Sequence, residues 1–355
     1  MRRLAFEVPL RAAILLCCLA ACGGSRDTTS SGGAGGSSGT GTSSGTGTGT
    51  GTAAGTPSGS TASGWRDLAP LLAPLQENAV VALEGEIYVV GGFDETAQVV
   101  DRVEAYDPAQ DAWRSCAPLP APRHHVNAAV VDGRLYALGS LVGLGFTASG
   151  EAWVYDPGSD SWESRTLMPA GTERGGGAVA VVGTGIVVLG GYRQGAVTDV
   201  SAYDTASDQW QTLPSLPAPR DHLVGGAVGG VVYAIGGRDS GIEAIDGRVD
   251  RLDLDGGSDW ELAAAMLTPR GGAAAAFLAG SLFVMGGEGN LASPVGVFAE
   301  TERYDPTGDV WSSLAVMTTP RHGTGAAALD GVIYVPGGAT TQAFGAVAVH
   351  QAFVP

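Results

Sequence analysis

The sequence contains no lysine, and every one of its 19 Lys and Arg positions is an arginine. Against 36 acidic residues this gives a formal net charge of −17, and only 15% of the residues are charged. Such an acidic chain repels phosphate backbones, so we predict that it does not bind nucleic acid. Glycine is abundant instead, at 57 residues. This combination is typical of an all-β protein with many tight turns, or of a Gly-rich linker.

The N-terminal apolar run, Ala12 to Ala21, is too short to span a bilayer and follows a basic N-terminus, as in an export signal. It ends in Leu19-Ala20-Ala21-Cys22, which resembles a bacterial lipobox. The resemblance implies that residues 1–21 are a lipoprotein signal peptide and that Cys22 is lipidated. It also implies a lipid-anchored protein of the bacterial cell envelope, and the Gly23 that follows favours the outer membrane. Whether the protein faces the periplasm or the outside stays open.

Cysteine is scarce as well. Cys17 and Cys18 lie in the predicted signal and Cys22 carries the lipid, which leaves Cys116 as the single thiol of the predicted folded part. An intrachain disulfide is therefore excluded there, and the domain must rely on its apolar core. Residues 22–64 comprise the lipidated Cys and a Gly/Ser/Thr-rich stretch, which we predict to be a flexible linker.

The rest of the chain repeats. Six tryptophans recur at intervals of 48, 49, 48, 50 and 51 residues: Trp65, Trp113, Trp162, Trp210, Trp260 and Trp311. A pair of small residues follows each: Gly91-Gly92, Gly139-Ser140, Gly190-Gly191, Gly236-Gly237, Gly286-Gly287 and Gly337-Gly338. Apolar stretches and Asp-Pro turns between them predict two hairpins, hence four strands, per unit. The Gly-Gly, Tyr-Asp-Pro and Trp elements in this register resemble the kelch family. The resemblance implies that residues 65–355 form an all-β, six-bladed kelch-type β-propeller.

The last repeat lacks its Trp, whereas Trp65 precedes the first complete unit. We therefore predict that the N-terminal strand around Trp65 supplies the outer strand of the last blade and closes the ring. The periodic Trp and Tyr side chains are expected to fill the gaps between blades.

Loop length varies mainly between the second and third strands of each unit, and variable loops on a rigid scaffold are where recognition normally takes place. On the same face, five units carry an arginine where the innermost strand is expected to begin, accompanied by histidines. We predict that these residues line the mouth of the central channel and bind the ligand: Arg123, Arg174, Arg220, Arg270, Arg321, His124, His125, His222 and His322. The same arginines could instead pair with carboxylates of neighbouring blades, and the sequence leaves both roles open.

No metal or other cofactor is predicted. Histidines converging on a channel axis invite a metal hypothesis, but innermost strands on opposite sides of a propeller lie about 10 Å or more apart, whereas metal–ligand bonds are about 2 Å. We therefore predict that these histidines bind no metal.

The resemblance favours a membrane-tethered, monomeric binding module for a protein, peptide or glycan. Guanidinium groups suit carboxylates, so an anionic partner is expected. The alternative is a carbohydrate-active enzyme resembling sialic-acid mutarotase or epimerase propellers, in which His125, His222, Glu173 and the arginines would supply acid, base and anchor. A galactose-oxidase type of copper enzyme does not fit, because Cys116 belongs to an outer strand and the propeller has six blades.

Overall fold

A computed structural model describes residues 63–257 and 259–355. The predicted signal peptide (1–21), Cys22 and nearly all of the predicted linker (22–64) lie outside these residues. The described part is all-β. It contains no helix that is long and apolar enough to cross a membrane.

The strands form six four-stranded antiparallel sheets, one per blade. Blade 1 contains β2 (Ala79–Leu83), β3 (Glu86–Phe93), β4 (Val99–Asp107) and β5 (Ala112–Ser115). Blade 2 contains β6 (Ala128–Val131), β7 (Arg134–Val142), β8 (Thr147–Asp156) and β9 (Ser161–Ser164). Blade 3 contains β10 (Ala178–Val182), β11 (Gly185–Leu189), β12 (Val200–Asp204) and β13 (Gln209–Thr212). Blade 4 contains β14 (Val224–Val228), β15 (Val231–Ile235), β16 (Val249–Asp253) and β17 (Glu261–Ala263). Blade 5 contains β18 (Ala274–Leu278), β19 (Ser281–Met285), β20 (Thr301–Asp305) and β21 (Val310–Ser313). Blade 6 contains β22 (Ala327–Leu329), β23 (Val332–Pro336), β24 (His350–Val354) and β1 (Gly64–Asp67).

Blade 6 joins the two ends of the described chain. Strand β1 pairs with β24 and places Trp65 opposite Phe353. The two rings lie 5.1 Å apart between centroids, and the Trp65 indole N–H donates to the carbonyl of Ala315 over 2.9 Å. The predicted six blades and the predicted closure by the strand around Trp65 are both confirmed.

The core is divided among the gaps between blades. Six apolar clusters are present in the described residues, and each combines side chains from two adjacent blades. One cluster, for example, packs Tyr88 of blade 1 against Leu135 and Tyr155 of blade 2. Trp153, which is out of phase with the repeat, is also buried in this cluster. Each blade therefore depends on its neighbours for its buried apolar surface.

A polar contact, which we call the blade clamp, recurs beside these clusters. In blade 2 the Asp160 carboxylate accepts the Tyr155 hydroxyl (2.6 Å) and the Ala117 backbone N–H (2.8 Å), and the Trp162 indole donates to the Ala117 carbonyl (3.0 Å). The same set recurs around Asp111, Asp208 and Asp309. The sequence elements Tyr, Asp and Trp thus attach each of these blades to the chain leaving the preceding one.

The Gly pairs pack against the loops that precede the innermost strands of their own unit and of a neighbouring unit. Gly91 and Gly92 have φ of 60° and 120°. A Cβ on Gly91 would collide with the carbonyl oxygen of Arg123, and one on Gly92 with that of Gln76. Glycine is therefore required here by both conformation and space. This contact assembles the channel mouth.

Candidate functional site

The five predicted arginines do not line the mouth. Arg174, Arg220, Arg270 and Arg321 are almost fully buried, at 0–1% exposure, and Arg123 is 9% exposed. Each lies in the loop before an innermost strand, which begins four to six residues later, and the side chain turns back into its own blade. The Arg174 guanidinium, for instance, donates to the carbonyls of Gly190 (2.8 Å) and Val188 (2.9 Å). The prediction from the sequence that these arginines line the mouth is therefore wrong.

The buried arginines also meet a polar side chain on the third strand of the same blade. Arg220 pairs with Asp250 at 2.7 Å, and Arg321 donates to the Gln351 side chain at 2.6 Å. Burial lowers the pKa of Arg321 to about 9, so the group stays charged at neutral pH. The guanidinium groups donate to buried backbone carbonyls of their own blade, which is a structural task.

Blade 1 has Leu75 where the others have arginine. Its third-strand carboxylate, Glu104, is nevertheless retained and buried. The nearest cation is Arg102, whose Nε lies 3.6 Å from Glu104 Oε1. Burial accordingly raises the pKa of Glu104 above its ordinary value, an effect that Arg102 only partly offsets. Arg123 of blade 2 also differs, because it pairs with the half-exposed Glu151 and lies over the Trp153 ring.

The mouth itself is formed by the residues two positions after each of the five arginines and after Leu75. We call these six positions the mouth ring: Glu77, His125, Gly176, His222, Gly272 and Gly323. The N–H of each donates to the carbonyl of the equivalent residue in a neighbouring blade, and the six bonds close a circle, at 2.5 to 3.0 Å. All six residues have positive φ, between 51° and 65°. Three are glycine, which suits this conformation, and three carry side chains at a conformational cost.

The three side chains of the mouth ring meet at its centre. His125 Nε2 lies 2.8 Å from His222 Nε2 and 3.1 Å from Glu77 Oε2. Histidines of different blades therefore lie close enough to share a ligand, and the expectation from the sequence that they do not is wrong. The distance between innermost strands overstates the distance between these side chains, because the mouth ring holds the loops closer to the channel axis than the strands are. A metal site was not predicted, and these three residues form a cluster whose ligand atoms lie within 4.8 Å of one another.

Hydrogen bonds orient both imidazoles. The Asp221 carboxylate accepts from His222 Nδ1 at 2.5 Å. Although burial disfavours its charge, the His222 and Arg238 partners keep the pKa of Asp221 below its ordinary value. On the other side, His124 Nε2 donates to the carbonyl of Gly143 (3.0 Å), and its Nδ1 lies 2.6 Å from His125 Nδ1. The imidazoles of His125 and His222 therefore both direct Nε2 towards the centre of the mouth ring.

Burial controls the charge of the histidines on this side. It lowers the pKa of His124 to about 4 and that of His125 well below its ordinary value. Both rings are thus neutral at physiological pH. In neutral His124 the Nε2 proton is engaged by Gly143, so the Nδ1 atom accepts from His125.

His322 lies behind the mouth ring. Its Nε2 donates to the carbonyl of Thr341 at 2.9 Å. Its buried Nδ1 makes no hydrogen bond among the described residues, and it lies 3.5 Å from Glu288 Oε2 and 3.7 Å from Glu77 Oε1. Of the nine predicted site residues, the four histidines therefore lie at the mouth and the five arginines lie inside the blades.

Arg238 and Glu288 belong to the mouth and were not predicted. The Arg238 guanidinium contacts Glu288, donates from Nε to Asp221 (3.0 Å) and approaches His222 Nε2 with Nη2 (2.9 Å). Both residues directly follow a Gly pair, at the position occupied by Phe93, Leu141, Tyr192 and Ala339 in the other units. This position pairs with the residue before the mouth ring in every unit. Charged residues directly after a Gly pair were the signal that could have revealed them.

The variable loops interlock above the ring. Phe93 lies 6.1 Å from Phe146 and 5.4 Å from Phe344, between ring centroids. The Gln342 N–H donates to the Val295 carbonyl, and the Ala196 N–H donates to the Ser240 hydroxyl. Together they enclose a mouth pocket of about 80 Å³, bounded below by the mouth ring and lined by these three phenylalanines, Ile242, Arg238 and Glu288. A channel cavity of about 260 Å³ lies on the other side of the ring.

Exposed apolar side chains stand on the same loops. They are Leu144, Leu291, Val295 and Phe344, with exposures of 65%, 76%, 42% and 44%. The predicted alternative enzyme residue Glu173 lies elsewhere, where its carboxylate accepts the Gly171 N–H. The loop face therefore combines a small polar and aromatic pocket with an apolar surround.

Comparison with known families agrees with the repeat and the blades. The family model described as the KLHDC2/KLHL20/DRC7 Kelch-repeats domain matches residues 71–237, and the Kelch motif matches residues 269–318. The chain is a kelch-repeat protein. This confirms the predicted family and fold.

Several curated kelch proteins are similar to this chain. Kelch-like protein terF of Aspergillus terreus is 35% identical over 304 residues, which are 82% of this chain and 55% of that protein. Kelch-like ECH-associated protein 1B of Danio rerio is 29% identical over 153 residues, which are 43% of this chain and 18% of that protein. The chain thus spans about half or less of the length of these relatives. A solved structure described as "Structure of YjhT" shares the fold, with a TM-score of 0.66, 17% identity, and coverage of 80% of this chain and 95% of that one.

Proposed function

We propose that this kelch propeller is a binding module whose ligand is a peptide segment of a partner protein, bound at the mouth pocket. The observation that carries the proposal is the cluster of exposed apolar side chains on the interlocked loops around that pocket. Apolar side chains exposed together around a concave site are typical of protein–protein contact surfaces. The pocket is small enough to take a single side chain, while the surround contacts the residues beside it.

The charges of the mouth bear on the kind of peptide. With the five arginines inside the blades, the charged groups that line the pocket are Arg238 and the carboxylates of Glu77 and Glu288, and the buried Asp221 carboxylate lies behind Arg238 as a third carboxylate. Arg238 is already paired with two of these carboxylates. This arrangement supports a ligand that offers hydrogen-bond donors, more than the anionic ligand expected from the sequence.

A peptide-display library panned against the immobilised full-length protein tests the proposal. A selected peptide is then titrated against the wild type, against Phe344→Ser at the pocket rim, and against Leu262→Ser, an equally apolar exposed position on outer strand β17. We expect Phe344→Ser to weaken binding at least about tenfold, since it removes a central contact, and Leu262→Ser to leave it unchanged. Failure to select any peptide, or equal effects of the two substitutions, would contradict the proposal.

A second candidate function, sugar chemistry, is favoured by one observation. Asp221 with His222 and Glu77 with His125 form two carboxylate–imidazole pairs that meet at the mouth pocket. Such pairs can move a proton between two groups of a bound substrate. The anomeric exchange of N-acetylneuraminic acid, followed by exchange NMR, tests it. Glu243, an exposed carboxylate on the same loop face, provides the control. Acceleration by the wild type and by Glu243→Gln, but not by His222→Ala, would support this function, and no acceleration above buffer would exclude it.

We further propose that the propeller is tethered to the bacterial cell envelope through lipid on Cys22, with residues 23–63 as the spacer. The support is the lipobox-like sequence before Cys22 and the composition of the spacer. Expression of the wild type and of Cys22→Ser in a bacterium fed a labelled fatty acid tests this. We expect label and membrane fractionation for the wild type, and neither for Cys22→Ser. Equal fractionation of both proteins would refute the anchor.

A further inference from the structure

We propose that Glu77, His125 and His222 bind a divalent transition-metal ion at the centre of the mouth ring. The site goes beyond the proposed peptide-binding function and does not depend on it. Two imidazole nitrogens and one carboxylate oxygen make up a donor set that suits Zn²⁺, with one further coordination position open.

The donor atoms are already gathered. His125 Nε2 is 2.8 Å from His222 Nε2 and 3.1 Å from Glu77 Oε2, and all three ligand atoms lie within 4.8 Å of one another. Zinc–nitrogen bonds of about 2.0 Å in a tetrahedron separate two nitrogens by roughly 3.3 Å. Small side-chain rotations of this buried cluster therefore suffice to admit an ion.

The hydrogen bonds behind the imidazoles leave their Nε2 atoms for a cation. His222 Nδ1 donates to the Asp221 carboxylate, which as a carboxylate only accepts. His125 Nδ1 faces His124 Nδ1, and the Nε2 proton of His124 is engaged by the Gly143 carbonyl. The Nε2 atoms of His125 and His222 consequently face each other at 2.8 Å, with the Glu77 carboxylate beside them. A carboxylate or a second polar group on the far nitrogen is the usual support of a metal-binding histidine.

The conformation of the mouth ring supplies an independent argument. All six ring positions have positive φ, and the three that are not glycine are the three that converge. Side chains in this conformation cost free energy and persist where the surroundings or a function require them. The glycines at the other positions clear the space, since a Cβ on Gly323 would lie 2.6 Å from Glu77 Oε1 and one on Gly176 would lie 3.2 Å from the His125 ring.

Two neighbouring groups bear on the charge of the site. Arg238 Nη2 lies 2.9 Å from His222 Nε2, and a bound ion has to displace this contact. Arg238 keeps its Asp221 and Glu288 partners when it does so. On the other side, the unpartnered His322 Nδ1 faces Glu77 Oε1 at 3.7 Å, within reach of a bond that would hold Glu77 in place as a ligand. The three residues line the cavities on both sides of the mouth ring, from which a further ligand can approach.

The test uses the full-length protein, freed of metal with a chelator and then titrated with Co²⁺ and Zn²⁺. Co²⁺ reports the coordination number through its visible absorption, and Zn²⁺ is measured by calorimetry. We expect one ion per chain and a visible band typical of four or five ligands. Since loss of a group that merely supports a ligand costs roughly 10- to 100-fold in affinity, His222→Gln and Glu77→Gln should each cost at least about that much.

The matched control is Glu243→Gln, an exposed carboxylate on the same face, which should bind Co²⁺ and Zn²⁺ as the wild type does. If His222→Gln does not fold, as judged by its melting curve, Glu77→Gln decides. The proposal is overturned if the wild type takes up no stoichiometric ion, if the Glu77 variant binds as tightly as the wild type, or if Glu243→Gln weakens binding equally. A metal-binding protein that selects no peptide would retain this site and lose the proposed function.

Discussion

The buried arginines form ion pairs and hydrogen bonds inside the blades, so single substitutions there are expected to destabilise the propeller. Arg220 is paired with Asp250 at 2.7 Å, and both side chains are at most 1% exposed. Replacing Arg220 by methionine leaves a buried carboxylate with only Arg248 as a partner. We expect Arg220→Met to lower the free energy of unfolding by about 3 to 5 kcal/mol, measured by denaturant titration.

The matched control is Arg251→Met, because Arg251 pairs with Glu261 at a partly exposed outer strand. This change should cost no more than about 1 kcal/mol. Comparable losses in the two variants would show that burial of the ion pair is not what makes Arg220 important.

Glu104 is a residue whose removal should stabilise the protein. Burial raises its pKa in the folded state, so the folded protein holds the proton more tightly than the unfolded chain does. Ionisation of Glu104 therefore destabilises the fold at neutral pH, and this destabilisation declines as the pH falls from the folded pKa towards the lower pKa of the unfolded chain. We expect Glu104→Gln to raise the free energy of unfolding at pH 7 by about 1 kcal/mol, and this gain to vanish in acid.

Asp250→Asn is the counterpart, since Asp250 is paired with Arg220 and Arg248. It should be destabilising at pH 7. If both substitutions stabilise the protein, or if neither does, then the lack of an arginine at position 75 is not the reason why the Glu104 carboxylate is destabilising.

At the scale of elements, the blade clamp joins the outer hairpins of blades 1, 2, 3 and 5 to the preceding blade. Blade 4 lacks it for reasons visible in the sequence: Leu252 has no hydroxyl, and Pro214, whose carbonyl accepts the Trp260 indole, has no N–H. The missing hydroxyl and the missing N–H are the two groups that donate to the clamp aspartate in blades 1, 2, 3 and 5. The clamp aspartates, including Asp160, have lowered pKa values because donors point at them. Their contribution is present at neutral pH and is lost as the pH falls through the folded pKa.

We expect Tyr155→Phe to lower the free energy of unfolding by about 1 kcal/mol, because it removes the hydroxyl that donates to Asp160. Tyr136→Phe, whose hydroxyl is not part of a blade clamp, is the control. Thermal unfolding measures both. An equal effect of the two substitutions would mean that the clamp contributes no more than the packing of the rings.

For the whole molecule, closure of the ring depends on a strand of four residues, β1. Trp65→Ala removes the contact with Phe353 and the bond to Ala315. We expect a loss of about 2 kcal/mol in the free energy of unfolding, together with faster hydrogen exchange in β24, which would become an edge strand.

Trp260→Ala, in a blade formed from consecutive strands, is the matched control. It should destabilise the protein without raising exchange in β24. Unchanged exchange in Trp65→Ala would indicate that β24 is held by its other neighbours alone.

The sequence by itself determined the family, the six blades and their closure, because the Trp, Tyr-Asp and Gly-Gly elements recur in one register and each repeat contacts only its neighbours. Local spacing is therefore enough to count and order the blades. The tertiary structure alone decided the site. The Arg positions turn into their own blades because buried carbonyls there need donors, whereas Glu77, His125 and His222, far apart in sequence, meet because a closed circle of backbone hydrogen bonds draws three blades' loops to one point. No spacing along the chain encodes that convergence, since it depends on the diameter of the ring.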